Sequence, residues 1–395
     1  MIILNINIKI NEERSVWCIL VIKYIIQDIM KKILFAAYSL NIGGIETALV
    51  TLINYLAKKQ YDITLVLEKK GGIFLDIIDK TVKIIEYSPS YNKNKIIAKL
   101  KNATKRLKFI FKYKNKFDCA ISFATYSLSS SFIARTASNN SVLWVHNNYL
   151  SFFENNEEKY LDFFNKVNVE KFSKIVFVSE ESKNDFERRF KYLSEKLIVC
   201  NNLIDYKEIV KKSEECITDF KKSSDEITFL NIGRHDEKQK QLTRLIKSAQ
   251  ILKQKKYKFK IILVGAGPDT QYYKKQVKDL NLENEIIFLG PKKNPYPYFK
   301  QCDSVILTSN FEGYPVVYIE SFVFNKPIIT TDVSDSEKDI NGKYGLVCSK
   351  DVKQISNAME NFINNGYEIK DKFNPEKYNN EIIKKVENII LNKTT

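Results

Sequence analysis

The sequence predicts an α/β fold: two parallel-sheet sandwiches, each covered by helices on both faces, that face each other across a cleft. Three observations carry this expectation. Two stretches of chain alternate short apolar strands, glycine turns and amphipathic helices, the pattern of βαβ units and so of parallel sheets. A polar run at 206–226, YKEIVKKSEECITDFKKSSDE, separates the two. The chain has 395 residues, 44% hydrophobic and 28% charged, enough apolar content for two cores at about 150 residues per domain.

The elements follow in order. Residues 1–29 mix charges with short apolar runs, and Lys23 and Asp28 interrupt the segment. Met30 leads directly into an apolar strand, so 1–29 reads as a translated upstream extension. The competing reading is a short interfacial anchor. Lys32 to Ala37, KILFAA, is a buried strand. Gly43 and Gly44 form the turn after it. A helix starts near Glu46, with Ala48, Leu49, Leu52, Ile53 and Leu56 on one face. Ile63–Leu67, Ala120–Phe123, Val142–Val145 and Ile175–Val178 read as further strands of a first domain at 30–205. The run 206–226 is the linker. A second domain at 227–370 starts with strand Ile227–Ile232 and a helix carrying Leu242, Leu245, Ile246, Ala249 and Leu252. Strands at Phe259–Val264, Glu285–Leu289, Ser304–Thr308, Pro327–Thr331 and Gly345–Cys348 complete it. Residues 371–395 form a final amphipathic helix through Ile382, Val386 and Ile389.

Composition removes several functions. Only two histidines occur, His146 and His235, so a multi-histidine metal centre is excluded. The six cysteines are scattered, with no zinc knuckle or CxxC pair, as expected of a reducing cytosol. The longest apolar run near the N-terminus, Val16–Ile22, is too short for a membrane span of about 20 residues. Lys and Arg number 63 against 47 acids, a net charge of +16. Such a balance favours anionic partners, although part of it is a general lysine bias of the chain.

Four segments carry chemistry. Glu312 and Glu320 lie eight residues apart across a strand end, a Gly-Pro turn and a helix start, in FEGYPVVYIE. Over roughly 12 Å of helix such a pair reaches both ends of an extended polar ligand. The N–H groups of Gly313, Tyr314 and Val316, with Pro315 in the first helical turn, lie between them at a helix start that attracts anions. Arg234 follows a strand and precedes Lys238 and Lys240, a set able to hold a diphosphate. Gly43 and Gly44 let backbone approach a ligand closely. His146 ends a strand in the first domain, in Trp144, Val145, His146.

Together these segments resemble the retaining GT-B glycosyltransferases of family four (glycosyl transferases group 1), of surface-polysaccharide type, over about residues 30–370. The E-x7-E signature stands at Glu312 and Glu320. Leu263 to Pro268 is similar to the family's LVGxGP turn, Ile42 to Glu46 to its glycine loop, and Asn202 to Asp205 to its NGID, with Leu203 in place of Gly. Gln239 stands where the family more often has its phosphate lysine, which leaves Lys240 or Lys238 for that role. The resemblance implies a GT-B fold of two Rossmann-like αβα domains. It implies transfer of a sugar from a nucleotide-sugar, a UDP-sugar being favoured, to a glycan or lipid-linked acceptor, with the anomeric configuration retained. Glu320 would hold the ribose hydroxyls and Glu312 the donor sugar. Arg234 and Lys240 would neutralise the leaving diphosphate, with N–H groups around Gly43, Gly44 and 313–316 assisting. His146 would sit beside the reacting sugar. No cofactor or divalent metal is implied, because the basic pair does the metal's electrostatic work, and the nearest approach to a DxD motif is Asp335, Ser336, Glu337. The helix at 371–395 would cross back to the first domain.

Residues 93–116, KNKIIAKLKNATKRLKFIFKYKNK, hold ten basic residues and no acid, interleaved with apolar ones. This stretch fits peripheral contact with an anionic membrane from the cytoplasmic side, or a solvated helix packed on the core. It carries no recognisable nucleic-acid module, so no nucleic-acid partner is expected. The alternative functions are a GT-B sugar-nucleotide epimerase or phosphorylase, and a silent basic protein that binds membranes or polyanions. Intact Glu312, Glu320, Arg234 and Lys240 favour the transferase.

Overall fold

The computed structural model describes residues 30–41, 43–91 and 94–393. The extension or anchor reading of 1–29 lies outside the described residues, as do Ile42 of the glycine loop and Lys93 of the basic stretch.

Thirteen strands among the described residues make two wholly parallel sheets. The first holds β1 (Lys32–Ala37), β2 (Asp62–Leu67), β3 (Lys83–Glu86), β4 (Cys119–Ser122), β5 (Ser141–Val145), β6 (Lys174–Phe177) and β7 (Leu197–Val199), in the order 3-2-1-4-5-6-7. The second holds β8 (Ile227–Ile232), β9 (Phe259–Val264), β10 (Ile286–Gly290), β11 (Ser304–Leu307), β12 (Ile328–Thr331) and β13 (Gly345–Cys348), in the order 10-9-8-11-12-13. The central strands read as continuous apolar runs because helices cover both of their faces; Ile33 to Ala36 are wholly buried. Ile33 aligns with Ile63 on one side and Cys119 on the other. The fold is α/β with two Rossmann-like sheets, as expected.

Strand order reverses between β1 and β4 in the first sheet and between β8 and β11 in the second. Crevices open at the carboxyl ends of strands where the order reverses. Gly43, after β1, lies at one of these points. Arg234, after β8, and Glu312, after β11, lie at the other.

Two strands escape the sequence pattern. β3 and β7 are short edge strands with half-exposed residues: β3 brackets two isoleucines with Lys83 and Glu86, and β7 is only three residues, LIV, too short to stand out as a strand. The polar stretch 206–226, expected as a linker, opens with a helix, Tyr206–Lys212. Asp205 caps it and Ile209 buries its apolar side. The C-terminal helix Pro375–Ile390 starts on an Asn374 cap with Pro375 in its first turn. Asn140 of the first domain donates to Ile389 O and Ile390 O at 3.1 and 3.0 Å, and Tyr378 donates to Asn202 O at 2.9 Å. The preceding helix, Val352–Asn365, packs instead on Leu242–Gln254 of the second domain. The chain therefore crosses from one domain to the other between these two helices.

The basic stretch forms the helix Lys95–Tyr113, capped by Asn94. Phe109 is its one buried residue, set against Tyr87 and Phe132 at 5.5 and 6.0 Å between ring centres. Ile96, Leu100 and Phe111 are 71%, 63% and 86% exposed, so most of the helix's apolar side chains face outward. Among the described residues, no helix is long and apolar enough to cross a membrane.

Candidate active site

The glycine-proline turn brings the two domains together. A methyl group on Gly313 would lie 2.0 Å from His146 O and 3.0 Å from Asn147 N. The backbone of the EGYP turn therefore rests directly on the carboxyl end of β5, and two motifs 167 positions apart in sequence meet. Phe311 and Phe152 meet edge to face nearby, at 6.0 Å. Pro315 stands at the N-cap with an extended ψ of 123°, and the helix runs Val316–Val323. Proline at this place, one residue ahead of the first helical turn expected for it, leaves only Val316 to Glu320 on helix. The rest of the separation between the two glutamates is extended loop.

Glu312 is 6% exposed and fully occupied. Its Oε1 accepts from Lys240 Nζ at 2.6 Å and from Ser309 Oγ at 2.7 Å, and its Oε2 accepts from Gln239 Nε2 at 3.1 Å. Burial of a carboxylate needs such partners. Arg234 is the exposed cation of the pair, with its side chain 63% exposed, bridged to Asp236 at 3.1 Å. Lys238 turns to the first domain, over the Phe152 ring at 4.6 Å and 3.6 Å from Glu154. The two lysines thus occupy different places: Lys240 beside the E-x7-E carboxylate, Lys238 on the domain seam.

Glu320 is equally buried, and the Tyr296 hydroxyl is its hydrogen-bond partner. Burial pushes its carboxyl up to about 7, and the tyrosine only partly offsets this. Burial pushes the His146 imidazole down to about 3, so it is neutral at physiological pH. Its Nε2 finds no hydrogen-bond partner among the described residues, nor do Trp144 Nε1 and Asn147 Oδ1 beside it. The ring packs on Phe123 at 4.2 Å. Three unpaired polar atoms within four residues, at a strand's carboxyl end, mark a place where a polar ligand fits.

Helix Gly44–Lys58 begins with no side-chain cap, and so does Val316–Val323. A methyl group on Gly44 would sit 3.7 Å from Val316 Cγ2. Two helix N-termini without a side-chain cap therefore converge from opposite domains, close to Arg234 and Lys240. Burial raises the Glu46 carboxyl, opposed first by the hydrogen bond from its own backbone N–H and then by the charge of Arg234 across the cleft. Gly265, after β9, has φ +148°, and any side chain there would strike Gly233 O at 1.9 Å. This close crossing fixes the loop that carries Arg234.

Sequence reasoning missed Ser309, Tyr296 and the role of Gln239. Ser309 is three residues before Glu312 in the same loop, a signal that was available. Tyr296 is 24 residues from Glu320 on a separate short helix, and only folding pairs them.

Comparison with known proteins accords with this geometry. The family model described as Glycosyltransferase Family 4 matches residues 42–208, and that described as Glycosyl transferases group 1 matches residues 212–382. An N-acetylgalactosamine-N,N'-diacetylbacillosaminyl-diphospho-undecaprenol 4-alpha-N-acetylgalactosaminyltransferase of Campylobacter jejuni is 26% identical over 337 residues, covering 82% of this chain and 87% of the relative. An uncharacterized glycosyltransferase of Methanocaldococcus jannaschii is 28% identical over 202 residues, and the match spans half of each chain. The crystal structure of HepE from Anabaena in complex with UDP and glucose superposes with a TM-score of 0.70 at 19% identity, covering 90% of this chain and 99% of that one. With a family model on each domain and the two sheets facing each other as in solved GT-B structures, the chain belongs to the group 1, family 4 glycosyltransferases.

Proposed function

We propose that this glycosyltransferase moves a sugar from a UDP-sugar to a glycan or lipid-linked acceptor in cell-surface polysaccharide assembly, with retention at the anomeric carbon. The convergence of two uncapped helix N-termini with Arg234 and Lys240 carries this reading, because it makes one strongly anion-seeking point at the cleft. A nucleoside diphosphate supplies the anion, and HepE holds UDP in the same fold. Glu320 would take the ribose, exchanging Tyr296 for the two hydroxyls. Lys240 would turn from Glu312 to the diphosphate, which frees Glu312 for the donor sugar. The bond from the sugar's C1 to the diphosphate oxygen breaks, and the acceptor oxygen bonds to C1 on the same face. His146, held near pKa 3 in this site, is too weak a base to take the acceptor's proton, which goes to the departing phosphate oxygen. His146, Trp144 and Asn147 instead offer hydrogen bonds to sugar hydroxyls. Arg234 and Lys240 fill the electrostatic role for which other transferases use a metal, so the reading includes none.

The reading places the chain at the cytoplasmic face of a membrane, touching it through helix Lys95–Tyr113. Its support is the exposure of Ile96, Leu100 and Phe111 among seven basic residues. Lys99→Gln, Lys101→Gln and Lys108→Gln together are expected to remove salt-sensitive binding to anionic vesicles; undiminished binding would sink this part.

Calorimetric titration with UDP, GDP and ADP tests the donor site. UDP is expected to bind, with affinity lost in both Arg234→Ala and Glu320→Ala. Failure of all three nucleotides to bind at millimolar concentration overturns the assignment.

A further inference from the structure

Asp335 lies in the second domain, just after β12 and before the short helix Ser336–Asp339. Its carboxylate reaches into the first domain. Oδ2 accepts the Glu180 N–H at 2.8 Å and Oδ1 accepts the Glu181 N–H at 2.9 Å. Those two amides open the helix Glu180–Arg189, which follows β6. The helix's own cap, Ser179, accepts only the Ser182 N–H. Asp335 therefore satisfies two of the donors that the helix leaves open, one with each oxygen, and adds a negative charge at the positive end of the helix. Helix caps ordinarily come from the residue that precedes the helix. Here the cap comes from another domain, 155 positions away.

Glu181 shares this seam. Its Oε2 is buried without a hydrogen-bond partner among the described residues. It faces Asp185 of its own helix, Asp332 and Asp335 from the loop after β12, and Lys350 from the segment after β13.

We propose that Asp335 is a positioning residue that latches the domains together, holding the closed cleft in which Gly313 meets His146, and that Glu181 makes this latch sensitive to protons. The consequence for catalysis rests on the function proposed above; the latch itself does not. Burial first, then Asp185 and Asp335, push the Glu181 carboxyl up to about 7 in the closed arrangement. Once the domains part, water reaches it and its affinity for protons returns to the ordinary carboxylate range, near the 4.5 of a free glutamate. Closing therefore takes up a proton between those values. Closure is favoured most at the acid end, weakens as pH rises toward 7, and levels off beyond.

The test removes the latch from each side. Asp335→Ala deletes the acceptor. Glu180→Pro deletes one donor at a helix position that tolerates proline, after a Ser179 whose extended backbone suits a residue preceding proline. Small-angle X-ray scattering of the whole chain reads the domain separation. Each variant is expected to raise the radius of gyration and shift the closure equilibrium by about tenfold. The double variant is expected to go no further than Asp335→Ala, since that substitution already removes both hydrogen bonds, including the one Glu180→Pro deletes. In Glu181→Gln, the pH dependence of the scattering between pH 5 and 8 is expected to flatten. Unchanged scattering in both single variants, with only a lower melting temperature, overturns the latch. A pH dependence that survives Glu181→Gln overturns the proton link. UDP titration of the unaltered chain runs beside these measurements; if UDP does not bind, the functional reading fails while the scattering still decides the latch.

Discussion

Replacing Gly313 by alanine isolates the contact on which the cleft depends. The added methyl would lie 2.0 Å from His146 O and 2.5 Å from its carbonyl carbon. Ordinary contact between such atoms is about 3.4 Å or more, so the turn and the end of β5 must separate by roughly 1.4 Å. Residue 313 is not in the left-handed region, so the cost is contact across the domain seam and not local backbone strain. Misplacement of reacting groups by about 1 Å lowers rates on the order of 100-fold. We therefore expect kcat/KM of Gly313→Ala to fall about 100-fold in an assay of UDP release from the donor identified by titration. UDP affinity should fall much less than turnover, because Arg234 and Lys240, the basic groups that hold the diphosphate, both belong to the second domain, and only the Gly43–Gly44 turn is moved away from them. The melting temperature should move by no more than about 2 °C, since neither core is touched. Turnover within a few-fold of the parent would refute the reasoning, as would a loss of turnover explained by a collapse in melting temperature.

Three further outcomes are expected. Lys240→Ala should lower kcat/KM by roughly 100- to 1000-fold, whereas Lys238→Ala, which loses a contact with Phe152 and Glu154, should keep most of it; equal losses in the two would contradict the separation of their roles. The stability of the ligand-free chain should decrease as pH rises from about 5 to 8, because Glu320 is held up near 7 and must ionise while buried. Thermal unfolding of Glu320→Gln should show a smaller decrease, and an identical pH profile would remove Glu320 from this account. The rate profile should show no limb near pH 6.5 that belongs to His146, because burial holds its imidazole neutral; a limb there that vanishes in His146→Gln would contradict it.

Much of the site was legible in local sequence because its parts are turns at strand ends. Apolar runs such as Lys32–Ala37 and Ile227–Ile232 marked central strands to the residue, since burial on both faces leaves no alternation to blur them. The glycines, Arg234, Glu312 and His146 then fell at carboxyl ends by simple succession. The edge strands β3 and β7 were not legible, because β3 interrupts its apolar pair with charges and β7 has only three residues. The face of helix Lys95–Tyr113 was not legible either: its period shows which residues align, and only packing shows that Phe109 turns in while Phe111 turns out.

The sequence by itself determined the two βαβ series, the order of their turns and the chemical types placed on them, because each depends on neighbours within a few residues. Tertiary structure alone decided the pairings. Lys240 rather than Lys238 stands beside Glu312, Tyr296 covers Glu320, Gly313 rests on His146, and Asp335 caps a helix of the other domain. These contacts join positions from 24 to 167 apart, and their energies depend on burial and on distances that exist only once the chain is folded.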